Sequence, residues 1–443
     1  MAVTRALARF VVRSRFDDIP HAIRHEAKRS LVNWMGCALG GSRHEAVTTA
    51  LAALAPFSGP PEAQLVGRRE RVDCLHAALL NGMSAHVLDF DDTHLRTLLH
   101  PSVPVASALL AFSERQTLSG RDFLHAFVLG VEVECRVANV LYRSHNVNGY
   151  ITGTAGVLGA AAALGRVLAL DEQRMIWALG AAATQAAGLR EMAGTMCKSF
   201  VHARAAQNGM LAALLAARDF TSSGQALEAP RGLIAVLAPE ADPALVSAGL
   251  GEQYELRLNT YKPHACGVVC HPVIDGCIEL RGRHALSAAH ITEVALRVHP
   301  LALKLTGIRA PRTGLESKWS IYHSAAVALC DGAAAEAQYT DARVSDPTVT
   351  RVRERVVASE DPALRDDEAW VKLMFDDGRT LEIHVEHARG SVDNPMSDRD
   401  LDLKFGALAR EALSAAQAER LLAACWAVEE TGDVGALGRL AAP

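Results

Sequence analysis

The stretch LDFDDTHLRTLLHPS, residues 88–102, gathers Asp89, Asp91, Asp92, Thr93, His94 and His100 between apolar runs. Carboxylates and imidazoles at that density suit a hard-cation site, a proton-transfer site, or a capped helix end. A second cluster, REMAGTMCKSFVHARAAQNG (190–209), places Lys198, His202 and Arg204 in a Gly- and Ser-containing loop that leads into an apolar helix. Cations ahead of a helix N-terminus suit a carboxylate, because side chains and free N–H groups then point the same way. A third, NTYKPHACGVVCHPVIDG (259–276), crowds Lys262, His264, Cys266, Cys270 and His271 together. A lysine held beside Pro263 at a domain junction reads as an anion clamp or an acid–base group. The fourth, ESKWSIYHSAAVAL, sets Tyr322 and His323 side by side at the start of a buried helix. There the two point about 100° apart, so one can face a cleft while the other packs.

The metal readings of these clusters are incomplete. An aspartate-rich magnesium site needs a second acidic motif in a later helix, and none is found. The Cys-x3-Cys-His run lacks the second thiol pair of a zinc site. Nucleotide, serine-hydrolase and zinc-protease signatures are missing from their required contexts. The balance falls on metal-free proton transfer, with the 88–102 stretch as one wall of a carboxylate pocket and Asp91 and Asp92 structural.

What must position these groups is a long, mainly helical chain. At 443 residues it exceeds the usual size of one core, so two domains are expected. From residue 1 to about 250 the pattern is helical, with GVLGAAAALGRVLAL and RAAQNGMLAALLAARDF apolar all round, as in helices inside a bundle. HEAKRSLVNWMGCALGG ends in a glycine pair suited to a C-cap. Near residue 255 the style changes: HITEVALRVHP alternates as a strand, and WVKLMFDDGRTLEIHVEH reads as a hairpin about Asp377-Gly378. SKWSIYHSAAVALCDGAA and DPTVTRVRERVV read as helices between them. A last helical stretch opens at Ser397 as N-cap, with Asp400 at its third position. The expected architecture is a large all-helical domain, residues 1–255 with 396–443, plus a smaller α+β lid domain, residues 256–395.

Composition narrows the partners. A net charge of −5 argues against nucleic acid or an anionic membrane surface. No run of about 18 strongly apolar residues predicts a membrane span. Nine cysteines without paired spacing suit a reducing compartment, hence the cytoplasm. The Arg-rich start MAVTRALARFVVRSRF continues in the same helical style and reads as a first folded helix.

The four segments, in this order, resemble the MmgE/PrpD family. The resemblance also takes in GYITGTAGVLGAAAALG, LEAPRGL and HARGSVDNPMSDRDLDLKF, and so spans essentially the whole chain. That family includes 2-methylcitrate dehydratase, cis-aconitate decarboxylase and iminodisuccinate epimerase. The resemblance implies a helical domain with an α+β second domain, homodimers, no metal or organic cofactor, and a small polycarboxylate substrate. Position by position it implies roles for Asp89, Thr93, His100, Lys198 and Lys262. On this reading Lys198 and Lys262 hold substrate carboxylates, His100 or His323 acts as acid or base, and Asp89 orients its neighbours. Thr93, His202, Arg204, His271 and Tyr322 are the candidate binding residues. Ile151 stands where the family often has histidine, Val201 displaces an imidazole to His202, and His323 occupies a tyrosine position. The favoured activity is a 2-methylcitrate dehydratase-like hydro-lyase. The alternatives are decarboxylation, epimerisation, and a non-catalytic helical scaffold.

Overall fold

The computed structural model describes residues 2–145, 149–284 and 286–443. The protein is mainly helical, with one small mixed sheet in its C-terminal part.

In the first part, the helices Cys74–His86, Ser102–Ser113, Gly120–His145, Ile151–Val167 and Cys197–Ala216 pack against one another. Residues Ile151 to Gly165 are all buried, which accounts for a helix apolar on every face. Small residues set how near these helices come. A Cβ on Gly209 would lie 2.5 Å from Ala160, and one on Gly82 would lie 2.9 Å from Ala203. The second contact holds the end of the Cys74–His86 helix against the start of Cys197–Ala216, the two elements that supply much of the site.

Two local expectations are corrected. The glycine pair Gly40-Gly41 does not cap its helix; it lies inside His21–Gly41, and Ser42 follows. Its purpose is close approach, since a Cβ on Gly41 would fall 2.0 Å from the Ser84 carbonyl oxygen. Gly41→Ala therefore forces two helices apart. The expected result is a loss of about 1–3 kcal/mol in urea denaturation with the fold retained. DPTVTRVRERVV is helical only over Pro347–Arg353; Val356 already opens a strand, because its side chain enters the sheet core and overrides the helical pattern.

The sheet runs in the order Val356–Glu360, Ile291–Val298, Ala369–Phe375, Thr380–Val385, the first pair parallel and the others antiparallel. Its hairpin turns at Gly378, whose φ of +84° needs a residue without a Cβ. The helix His271–His284 lies on this sheet through Gly276, against Val371 and Ile383.

The helices Asp398–Ala409 and Ala415–Trp426 return to the helical part. Phe405 packs on Gly36, Trp426 stacks on His25, and Arg29 pairs with Asp398. Ser397 and Asp400 form the expected capping box.

Candidate active site

The Cys74–His86 helix ends just before the aspartate-rich segment, and Asp89 then takes a φ of +51°. That left-handed conformation is costly for a residue with a Cβ and holds only where contacts dictate it. Here Lys262 supplies them, donating from Nζ to both the carbonyl oxygen (3.0 Å) and Oδ1 (2.7 Å) of Asp89, 173 residues away. Lys198 Nζ reaches the same Oδ1 at 3.2 Å, while Asp89 Oδ2 has no hydrogen-bond partner among the described residues.

Three devices hold these distant segments together. Thr93–His94 and Asn259–Thr260 form a two-residue antiparallel ladder, reinforced by Thr260 Oγ1 donating to the Thr93 carbonyl at 2.6 Å. Asp92 accepts from Ser102 (2.6 Å) and Asn259 (2.7 Å), so it is a structural tie, and burial pushes its carboxyl up to about 7. Two further buried lysines bond mostly to carbonyls. Lys318 Nζ donates to Leu88 and Ala265, and Lys404 Nζ donates to Phe90 and Lys262. Each thus joins the Asp89 segment to the Lys262 segment.

Around the two pocket lysines stand three imidazoles. Lys198 and His202 are not in a loop; both lie in the first turns of Cys197–Ala216, four residues apart on one face. His86 accepts from Lys198 at Nε2 (2.8 Å) and donates from Nδ1 to Asp91 (2.8 Å). His100 Nδ1 meets the same Asp91 oxygen at 3.2 Å and the Asp92 carbonyl at 3.0 Å. His202 donates from Nδ1 to the Lys198 carbonyl at 2.8 Å, which leaves Nε2 with the lone pair when the ring is neutral.

Burial and charge sort these groups. Burial disfavours the Asp89 carboxylate, but Lys198 and Lys262 outweigh it and hold the group well below the usual range. Asp91 behaves likewise through His100 and His86. Burial pushes Lys198 down to about 8 and His86 down to about 4. His202 is also held well below its ordinary value, by burial and by the neighbouring His86 and Lys198.

His86, His100 and His202 each bring a ligand nitrogen within 4.8 Å of the others, a spacing that invites a metal. The ring geometry argues otherwise. His86 and His202 are stacked face to face, 3.9 Å apart at 22°, so their in-plane lone pairs run side by side instead of converging. His86 Nε2 is also taken by the Lys198 ammonium. The donor set suits an internal ammonium better than a metal ion.

Asp89, Thr93, His100, Lys198, His202 and Lys262 line one cavity of about 40 Å³. Ile151, Val268, Val269 and Leu305 give it an apolar wall. Four of the sequence candidates lie outside it. His323 is buried in the second part, donating from Nε2 to the Gln338 carbonyl, with Arg353 and Tyr339 beside it. Tyr322 packs under Arg309, and His271 packs on His264. Arg204 is exposed and bonds Gln207, because it points away from the face shared by Lys198 and His202. Conversely, His86, Tyr150, Arg190 and Trp319 belong to the site or its support without a role expected from sequence, and Asp91, expected to be structural, bridges His86 and His100. His86 lies only three residues before Asp89, at the helix end, a signal that was available.

The buried cavity of this mainly helical protein thus sets two ammonium groups, donors that can receive a carboxylate, beside imidazoles that can carry a proton. Residues 5–246 match the MmgE/PrpD N-terminal domain and residues 264–428 the MmgE/PrpD C-terminal domain, and the chain belongs to this family. It is similar to the cis-aconitate decarboxylase of Aspergillus terreus, 26% identical over 92% of this chain and 89% of that protein. The cis-aconitate decarboxylase of Mus musculus is 26% identical over 99% and 93%. The 2-methylcitrate dehydratase of Cupriavidus necator is 25% identical over 77% and 74%. No helix among the described residues is long and apolar enough to cross a membrane.

Proposed function

We propose that this protein is a lyase that acts on a small di- or tricarboxylate through a carbanion formed next to a carboxylate, without a cofactor. One observation supports it above the rest: two buried ammonium groups, Lys198 and Lys262, meet at one Asp89 oxygen in a cavity also lined by His100 and His202. Cations fixed beforehand in a dry pocket stabilise negative charge as it develops, at no cost of reorganisation.

The roles follow from the hydrogen bonds. The lysines receive the carboxylate whose neighbouring carbon becomes negative. His202, neutral at pH 7, offers Nε2 as the base that takes the proton from that carbon. His100, backed by Asp91, delivers a proton to the departing hydroxyl, the C–O bond breaks, and water leaves as the C=C bond forms. Asp91, through His86, aims Lys198 into the cavity. Lyase chemistry is also what the names of the relatives describe.

Decarboxylation is the second reading, favoured by the apolar wall at Ile151, Val268, Val269 and Leu305. A carboxylate desolvated against that wall loses CO₂ more readily, and only one proton then has to be returned to carbon. The two readings separate in one assay. Incubation with 2-methylcitrate should yield an unsaturated tricarboxylate and no CO₂; incubation with cis-aconitate should release CO₂ if the second holds. Turnover of neither, with His100→Asn indistinguishable from the parent, rejects the lyase reading.

A further inference from the structure

Three cations line the cavity, and they are not equivalent. Lys198 and Lys262 both bond to Asp89, so one carboxylate already answers to two ammonium groups. Arg190 is the third. Its side chain has no ion-pair partner among the described residues, and its guanidinium lies over two rings, 5.1 Å from the centre of Tyr150 and 5.6 Å from that of Trp319. An arginine left without a carboxylate at a pocket is positioned but not neutralised. Contact with two rings restrains its fork and reduces the entropy lost when a ligand binds. A second group points the same way. Tyr150 is 3% exposed, yet its hydroxyl has no hydrogen-bond partner among the described residues, a costly arrangement unless a ligand completes it. Tyr150 and Arg190 line the same cavity as the lysines.

The charges on this lining also leave a remainder. Three cations face one carboxylate, Asp89, which leaves two positive charges for a ligand to answer. A monocarboxylate would answer one. We infer that Arg190 and the Tyr150 hydroxyl form a second carboxylate subsite, separate from the Lys198–Lys262 end, and that this subsite selects diacids over monoacids. The guanidinium fork takes both oxygens of the distal carboxylate, and the tyrosine hydroxyl donates to one of them. This rests on reading the cavity as a carboxylate pocket and names the part of it that sets substrate class.

Binding tests this without any turnover. Succinate and butyrate have four carbons each and differ in one end, carboxylate against methyl, so their affinities by titration calorimetry compare the subsite directly. The parent should bind succinate at least about 10-fold more tightly than butyrate. Arg190→Gln should weaken succinate by about 10- to 100-fold and leave butyrate within about twofold. Arg190→Lys should recover only part, since charge returns without the fork. Tyr150→Phe should weaken succinate alone. Lys198→Met, at the other end, should weaken both acids. If Arg190→Gln leaves the ratio of the two affinities unchanged while Lys198→Met weakens both, the subsite is overturned and the carboxylate pocket stands. If the parent binds neither acid, the pocket reading falls, and the subsite with it.

Discussion

Lys262→Met is expected to reduce turnover by at least about 10³-fold and to lower stability by about 3–5 kcal/mol. The two losses have one origin. Lys262 Nζ lies 2.7 Å from Asp89 Oδ1 and 3.0 Å from the Asp89 carbonyl, with every group buried. Removing the ammonium leaves a carboxylate out of water with Lys198 as its remaining cation, at 3.2 Å. It also removes the contact that keeps Asp89 at positive φ. A second substitution separates the effects. In Asp89→Asn/Lys262→Met the buried carboxylate goes together with its cation and Lys198 keeps His86 as its near partner, so part of the stability should return, whereas turnover should not, because the carboxylate clamp is still missing. Urea midpoints and steady-state rates measure both. Full turnover by Lys262→Met would remove the lysine pair from the mechanism.

The second large effect is on pH. Burial brings Lys198 down to about 8, and the proposed chemistry needs it charged. Above that value the clamp loses its proton, so kcat/KM should fall by about tenfold per pH unit on the alkaline side. The sign of two variants follows from the neighbouring charges. Asp89 favours the charged lysine, so Asp89→Asn should move the alkaline limb to lower pH. Lys262 disfavours it, so the activity left in Lys262→Met should show the limb moved to higher pH. His202 is held well below its ordinary value and stays neutral as pH falls through the usual histidine range, so its limb should lie on the acid side of that range. An alkaline limb that does not move in Asp89→Asn would assign it to some group other than Lys198.

The elements were legible to different degrees. Hydrophobic periodicity located the bundle helices and the 369–385 hairpin, since each depends on neighbours three, four or two residues away. It misread Gly40-Gly41 and Val356, and for one reason: each is decided by a distant partner, Ser84 in the first case and the sheet core in the second. The loop reading of Lys198 erred in the same way. Gly194 and Thr195 suggest a loop, but the helix is already under way at Cys197 because its following turns pack on Cys74–His86 and Ile151–Val167.

By itself the sequence determined the supply of groups and their family. Acids and imidazoles cluster near residues 89–100, cations near 198 and 262, and the order of these segments is that of MmgE/PrpD proteins. Only the tertiary structure decided which of them meet. It turned Asp91 from a structural acid into the bridge between His86 and His100, brought Arg190 and Tyr150 to the cavity, and sent His323, Tyr322, His271 and Arg204 elsewhere. The physical reason is range. Residue type and spacing fix which side chains share a face of one helix. Convergence across 173 residues is set by how closely helices pack at Gly82 and by the short ladder between Thr93 and Thr260.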